Sequence, residues 1–311
     1  MANVGFAVPD DTVLVADGGL ATELEARGFD LSDPLWSARL LADAPADITA
    51  VHAAFFAAGA MIATTASYQA SFEGFAARGI DRRAAAGLLR RSVQLARLAA
   101  GGAKDRWVAA SVGPYGAARA DGSEYRGRYG LSVAALTAWH RPRLEVLAGA
   151  GADVLACETV PDLDEAEALV NLIREANVPA WLSYTIDGLS TRAGQPLTAA
   201  FEVAAGVPQI VAVGVNCCAP DDVLPAIEIA REVTGKPVIV YPNSGESWDT
   251  GRRRWTGPAR LSPALVPAWV AAGARVIGGC CRVRPTDIAA VSTALRRTCN
   301  QRENPPPGNS P

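Results

Sequence analysis

The chain has 311 residues, 50% hydrophobic and 20% charged, enough to bury a large core. A formal net charge of -3 supplies no overall basic field for nucleic acid, and the short cluster Arg252-Arg253-Arg254 reads as solvated surface. No apolar run reaches the roughly 18 residues a membrane helix needs, and the first residues lack the basic start and apolar core of a signal peptide; a reducing cytosol, with the six cysteines outside disulfides, is the expectation.

In chain order, short apolar runs recur from end to end: Val13 to Ala16, Ala60 to Ala63, Trp107 to Ala110, Val154 to Ala156, Trp181 to Tyr184, Ile210 to Val213, Val238 to Tyr241 and Val276-Ile277. They lack the alternation of half-exposed strands, as parallel strands covered on both faces do. Amphipathic stretches lie between them. Asp81 caps Arg82 to Ala100 ahead of Gly101, Ser132 caps Val133 to Ala148 ahead of Gly149, and Pro161 and Pro285 each open a further helix. Eight strand-helix units, with neither G-x-G-x-x-G nor a P-loop, predict a single (β/α)8 TIM barrel rather than a doubly wound sheet. The barrel is assigned to residues 1–299, and the polar, proline-rich stretch 300–311 is expected to be a disordered tail.

In such a barrel the active site lies at the C-terminal ends of the strands. Here those ends read Asp17-Gly18-Gly19, Thr64 to Tyr68, Ser111 to Tyr115, Cys157-Glu158-Thr159, Tyr184-Thr185, Asn216-Cys217, Tyr241 to Gly245 and Gly278-Gly279-Cys280-Cys281. Strands six and eight are alternate strands, which feed the same interior layer, so Cys217, Cys280 and Cys281 can converge on a zinc ion. Successive strand residues face opposite ways, and the Gly278-Gly279 pair is expected to relax the backbone so that both following cysteines aim inward. Cys218 and Cys157 read as packing, and Cys299 lies near the tail. Three thiolates leave a fourth tetrahedral position for an external ligand, and a soft centre favours a thiol there, bound as thiolate. His52 and His140 fall in helical sequence and read as satisfied helix residues. The only lysines, Lys104 and Lys236, precede strands three and seven, at the wrong end for Schiff-base chemistry.

The stretches Asp17 to Leu24, Ser111 to Ala117, Asp121 to Gly127, Gly214-Val215-Asn216-Cys217, Tyr241 to Glu246 and Gly278 to Arg282 together resemble the zinc-dependent homocysteine S-methyltransferases, in the right order and over nearly the whole chain. The likeness is greatest to the branch that uses S-methylmethionine, and sometimes S-adenosylmethionine. The resemblance implies Cys217, Cys280 and Cys281 as ligands of Zn2+, and Asp17, Gly18, Glu158 and Asn216 as the substrate-binding positions for homocysteine. Glu158 is also open to reading as a helix N-terminal carboxylate ahead of Pro161. The implied reaction is methyl transfer from a sulfonium donor to the homocysteine thiolate, giving methionine. The segment Asp121 to Tyr125 and the loop Glu246-Ser247-Trp248 offer carboxylates and aromatic faces for a sulfonium, or serve as ordinary charged loops.

Two other readings stay open on the sequence. One is a methyltransferase of the same family acting on selenocysteine or another thiol, and the other is a non-catalytic zinc-holding or redox-sensing barrel.

Overall fold

A computed structural model describes residues 6–9, 11–249 and 254–303. Eight parallel strands form its centre: β1 (Leu14–Val15), β2 (Ile62–Thr64), β3 (Trp107–Val112), β4 (Val154–Val160), β5 (Ala180–Tyr184), β6 (Ile210–Asn216), β7 (Val238–Tyr241) and β8 (Ala274–Ile277). Each pairs with its sequence neighbour from β2 to β8, and β8 pairs back onto β1. A bridge from Ala16 to Ile62 joins β1 to β2 and closes the (β/α)8 barrel. All eight strands arise from the predicted apolar runs.

Each strand is followed by a helix: α1 (Pro45–Ala57), α2 (Arg82–Ala100), α3 (Val133–Ala148), α4 (Leu163–Ala176), α5 (Leu197–Glu202), α6 (Val223–Thr234), α7 (Val266–Ala272) and α8 (Pro285–Glu303). The caps act as the sequence suggests. Asp81 accepts from the Ala84 amide, Gly101 closes α2 at φ 63°, and Ser132 accepts from the Ala135 amide. The fourth helix starts later than expected: Pro161 stays outside, and Asp162 caps α4 through the Asp164 amide. A carboxylate acceptor at the cap outweighs proline's preference for the first turn. Helix α8 runs on to Glu303, and the remainder of the tail assigned to 300–311 lies outside the described residues.

Two apolar layers result. Leu14, Ile62, Val154, Ala212, Ile239 and Val276 belong to a cluster inside the barrel, where Trp181 donates through Nε1 to the Tyr241 hydroxyl at 3.1 Å. Phe6 packs edge-on against Trp107 at the start of β3 and covers that end. A larger cluster lies between the sheet and the helices. Lys236 donates to the Val207 carbonyl at the N-terminal side of the strands, so the mouth carries no lysine. His140 is held by Glu165 at 2.8 Å, whereas His52 is fully buried with neither ring nitrogen bonded. Burial pushes His52 down to about 4, so it packs as a neutral ring and not as a satisfied one. Among the described residues no single helix is long and apolar enough to cross a membrane.

Candidate active site

The sulfur atoms of Cys217, Cys280 and Cys281 lie within 4.8 Å of one another at the C-terminal mouth, a group able to hold a metal ion. Backbone geometry brings them there. Cys217 follows β6 at φ 50°, a left-handed conformation uncommon outside glycine that turns its side chain away from the regular alternation. Its amide donates to the Tyr241 carbonyl, and Thr185 Oγ1 donates to its carbonyl. Cys218 then points into the core and is 1% exposed, as expected for packing. Cys157 is equally buried.

The glycine pair works differently from the expectation. Strand β8 ends at Ile277, so Cys280 and Cys281 sit on irregular backbone to which alternation does not apply. Gly278 and Gly279 hold no left-handed φ. They are needed for close approach: a Cβ on Gly278 would lie 2.7 Å from the Asp17 carbonyl oxygen, and one on Gly279 would lie 2.2 Å from the Val283 side chain. The Gly279 amide donates to Asp17, the Gly19 amide to Val283, and the Arg282 amide to Thr22 Oγ1, stitching the β8 loop to the β1 loop. Asn243 Oδ1, from the loop after β7, accepts from the Cys281 amide at 3.0 Å. Three loops thus fix the cluster. The closest sulfur pair, Cys217 and Cys281, is 3.7 Å apart. Hydrogen bonding with Cys280 and Cys281 pulls the Cys217 thiol well below its usual range, and the bond with Cys217 raises the other two.

Beside the thiols lies a cavity of about 100 Å³ lined by Asp17, Gly18, Thr64, Glu158 and the three cysteines. Asp17 accepts from the Thr64 amide at 2.8 Å, yet burial pushes its carboxyl up to about 8. Ser111 Oγ donates to Glu158, and burial pushes Glu158 up to about 7. Glu158 ends the regular part of β4: the register with β5 shifts between Cys157 and Val160, and Thr159 adopts φ 57°. That bulge turns the carboxylate into the mouth, so Glu158 is no helix-cap acid; Asp162 holds that role. A Cβ on Gly18 would meet the Val283 carbonyl at 2.6 Å and the Phe55 ring at 2.8 Å, residues outside the lining, so glycine here lets the β1 loop pack closely against the body of the barrel.

Asn216 is fully buried beneath the cavity rather than in its lining. Its Oδ1 accepts from the Thr159 amide and from Ser183 Oγ, each at 2.8 Å, and its Nδ2 donates to Thr159 Oγ1 at 2.7 Å. Both polar atoms of its side chain thus bond to neighbours on β4 and β5.

A second, outer cavity of about 730 Å³ opens from the first and shares Thr22, Trp36, Tyr68, Tyr125, Cys217 and Cys281 with it. Tyr125 is 42% exposed, with its hydroxyl 3.3 Å from Cys217 Sγ. Glu124 stands beside it, and burial pushes its carboxyl up to about 7. Gly116 admits this segment, because a Cβ there would lie 2.4 Å from the Glu124 amide nitrogen. Gly122, Glu124 and Tyr125 of the Asp121 to Tyr125 segment therefore face the site, as does Glu246, whereas Asp121 lies outside the lining, 4.0 Å from Arg119; the side chain of Trp248 lies outside the described residues. Trp36 and Arg192, which also line this cavity, come from segments that the sequence pattern left unassigned.

A closed (β/α)8 barrel with three convergent thiols and two buried carboxylates at its C-terminal mouth defines the class of enzyme. The profile of the homocysteine S-methyltransferase family matches residues 14–295. The homocysteine S-methyltransferase of Escherichia coli (strain K12) is 48% identical over 291 residues, covering 90% of this chain and 94% of its own. A selenocysteine Se-methyltransferase of Brassica oleracea var. italica is 41% identical over 305 residues, covering 90% and 88%. The metallated form of the homocysteine methyltransferase MmuM from Escherichia coli superimposes with a TM-score of 0.81 at 46% identity, over 92% of this chain and 96% of that one. The chain belongs to the homocysteine S-methyltransferase family. It is a methyltransferase enzyme.

Proposed function

We propose that this protein makes methionine by transferring a methyl group from a sulfonium donor, S-methylmethionine in preference to S-adenosylmethionine, to homocysteine at a zinc centre formed by Cys217, Cys280 and Cys281. The observation that carries this reading is the thiol cluster beside two buried carboxylates. A tetrahedral zinc with bonds of about 2.3 Å to sulfur has sulfur-sulfur edges of about 3.8 Å, and the 3.7 Å separation of Cys217 and Cys281 supports that fit. Bound there, zinc would supply a soft Lewis acid that keeps the homocysteine thiol ionised at neutral pH.

The chain's own residues would do the rest. The inner cavity has room for roughly eight water-sized groups, the scale of a small amino acid. Asp17 and Glu158 meet the ammonium of homocysteine, which repays the cost of their burial, and Gly18 lines the cavity beside the headgroup. Asn216 acts through Thr159 by keeping Glu158 turned inward. With the headgroup fixed, the sulfur is aimed at the outer cavity, where the donor enters. A sulfur lone pair attacks the methyl carbon in line, the new S–CH3 bond forms as the old one breaks, and the donor leaves as a neutral thioether that needs no proton. The site carries several anionic groups, which favours a cationic donor. The thiols must stay reduced for this chemistry, so a reducing cytosol is its natural setting.

Purified protein loaded with zinc tests the reading directly: methionine should form from homocysteine with S-methylmethionine and more slowly with S-adenosylmethionine. A marked preference for selenocysteine over homocysteine would favour the other activity named among its relatives.

A further inference from the structure

The outer cavity contains two buried charged atoms without partners, and they have opposite sign. Glu124 Oε2 and Arg192 Nε are both shielded from solvent and make no hydrogen bond. Both residues line this cavity, and no ion pair joins them. Arg192 reaches the exposed Asp187 carboxylate through Nη1 at 3.8 Å, which leaves its buried Nε unbonded, while Glu246 pairs with Arg282 at 3.2 Å, Asp33 with Arg78 at 3.9 Å and Arg260 with Asp221 at 3.0 Å. A buried donor or acceptor left unmade costs roughly 1–3 kcal/mol, so a cavity with one of each is complementary to a ligand carrying both charges.

Aromatic faces occur on the same wall. Trp36 packs edge-on to Tyr68 with ring centroids 6.2 Å apart, and Trp36 adopts φ 49°, a costly conformation for a bulky residue that persists only where the surroundings impose it. Trp36, Tyr68 and Tyr125 border both cavities, between the inner carboxylates and Glu124. Ring faces and a carboxylate together suit a poorly hydrated cation such as a sulfonium.

We infer that Glu124, with the Trp36, Tyr68 and Tyr125 rings, receives the sulfonium of the methyl donor, and that Arg192 receives the carboxylate of the same molecule. Arg192 lies on the loop after β5, directly after a small hairpin formed by Ile186–Asp187 and Ser190–Thr191, and its amide donates to the Thr185 carbonyl. It comes from a different loop than Glu124. This inference rests on the proposed methyl transfer and extends it to residues that hold the second substrate.

The experiment uses the zinc-loaded full chain with two donors, S-methylmethionine and trimethylsulfonium, which has the charge but no carboxylate. Glu124→Gln should lower kcat/KM roughly 10- to 100-fold for both donors. Arg192→Met should lower it to a similar extent for S-methylmethionine and change trimethylsulfonium less than about twofold, with Arg192→Lys recovering part of the loss. Zinc content and homocysteine affinity, measured by calorimetry without donor, should match the unmodified protein in every variant. Equal losses for both donors in Arg192→Met, or unchanged donor kinetics in Glu124→Gln, would overturn the assignment. Failure of the unmodified protein to turn over any sulfonium would instead overturn the methyl-transfer reading, and this inference with it.

Discussion

Replacing Glu158 by Gln should move stability and substrate binding in opposite directions. Its carboxyl, ordinarily near 4.5, is pushed up to about 7 by burial. Below pH 4.5 the folded and unfolded chains both hold the proton. As pH rises toward 7 the unfolded chain releases it first, so stability is lost across that window. The full shift is worth about 3 kcal/mol once pH exceeds 7. Glu158→Gln removes the charge while keeping a group that can bond Ser111, so the metal-free variant should melt several degrees higher than the unmodified protein at pH 8.5 and at nearly the same temperature at pH 4.5. At pH 8 its affinity for homocysteine should fall, because a charged hydrogen bond to the ammonium is worth roughly 1.5–3 kcal/mol, or about 10- to 150-fold in KM. Thermal melts at the two pH values, combined with homocysteine titrations, check both arms. A melting difference independent of pH, together with an unchanged homocysteine KM, would refute the placement of this carboxylate.

Asp17→Asn should follow the same pattern at higher pH, since that carboxyl is pushed up to about 8; melts between pH 6 and 9 check it. Asn216→Ala strands the Thr159 amide and the Ser183 hydroxyl, so it should cost roughly 1–3 kcal/mol of stability in denaturant titration and raise the homocysteine KM without lowering metal content. Gly279→Ala would drive a methyl into Val283 and displace the loop bearing Cys280 and Cys281, which metal analysis should register as lost binding.

The barrel was legible because each strand is a continuous apolar run bounded by turn residues, and the helix caps at Asp81 and Ser132 are local signals. The thiol centre was legible from placement, since the cysteines close alternate strands. What the pattern could not carry was irregular backbone. The left-handed turns at Cys217 and Thr159 and the bulge that aims Glu158 depend on long-range bonds from Tyr241 and Asn216. The role of Gly278 and Gly279 is visible only once Asp17 and Val283 are known to lie against them. Trp36 precedes α1 in a segment without helical or strand periodicity, and Arg192 directly follows a short hairpin after β5, so neither announced itself. His52 is the opposite case: a polar residue in helical sequence suggests a partner, but the core around it supplies none.

If Cys217, Cys280 and Cys281 form one zinc centre, methyl transfer depends on all three thiols. Metal analysis of the unmodified chain and of single cysteine-to-serine variants, run beside methionine formation from homocysteine, tests it most directly. About one zinc per chain is expected in the unmodified protein and in Cys218→Ser, with zinc and turnover lost together in Cys217→Ser, Cys280→Ser and Cys281→Ser, because a hydroxyl replaces thiolate poorly on a soft metal. Full zinc occupancy with near-normal turnover in Cys217→Ser and Cys280→Ser, or loss of metal only in Cys218→Ser, would contradict it.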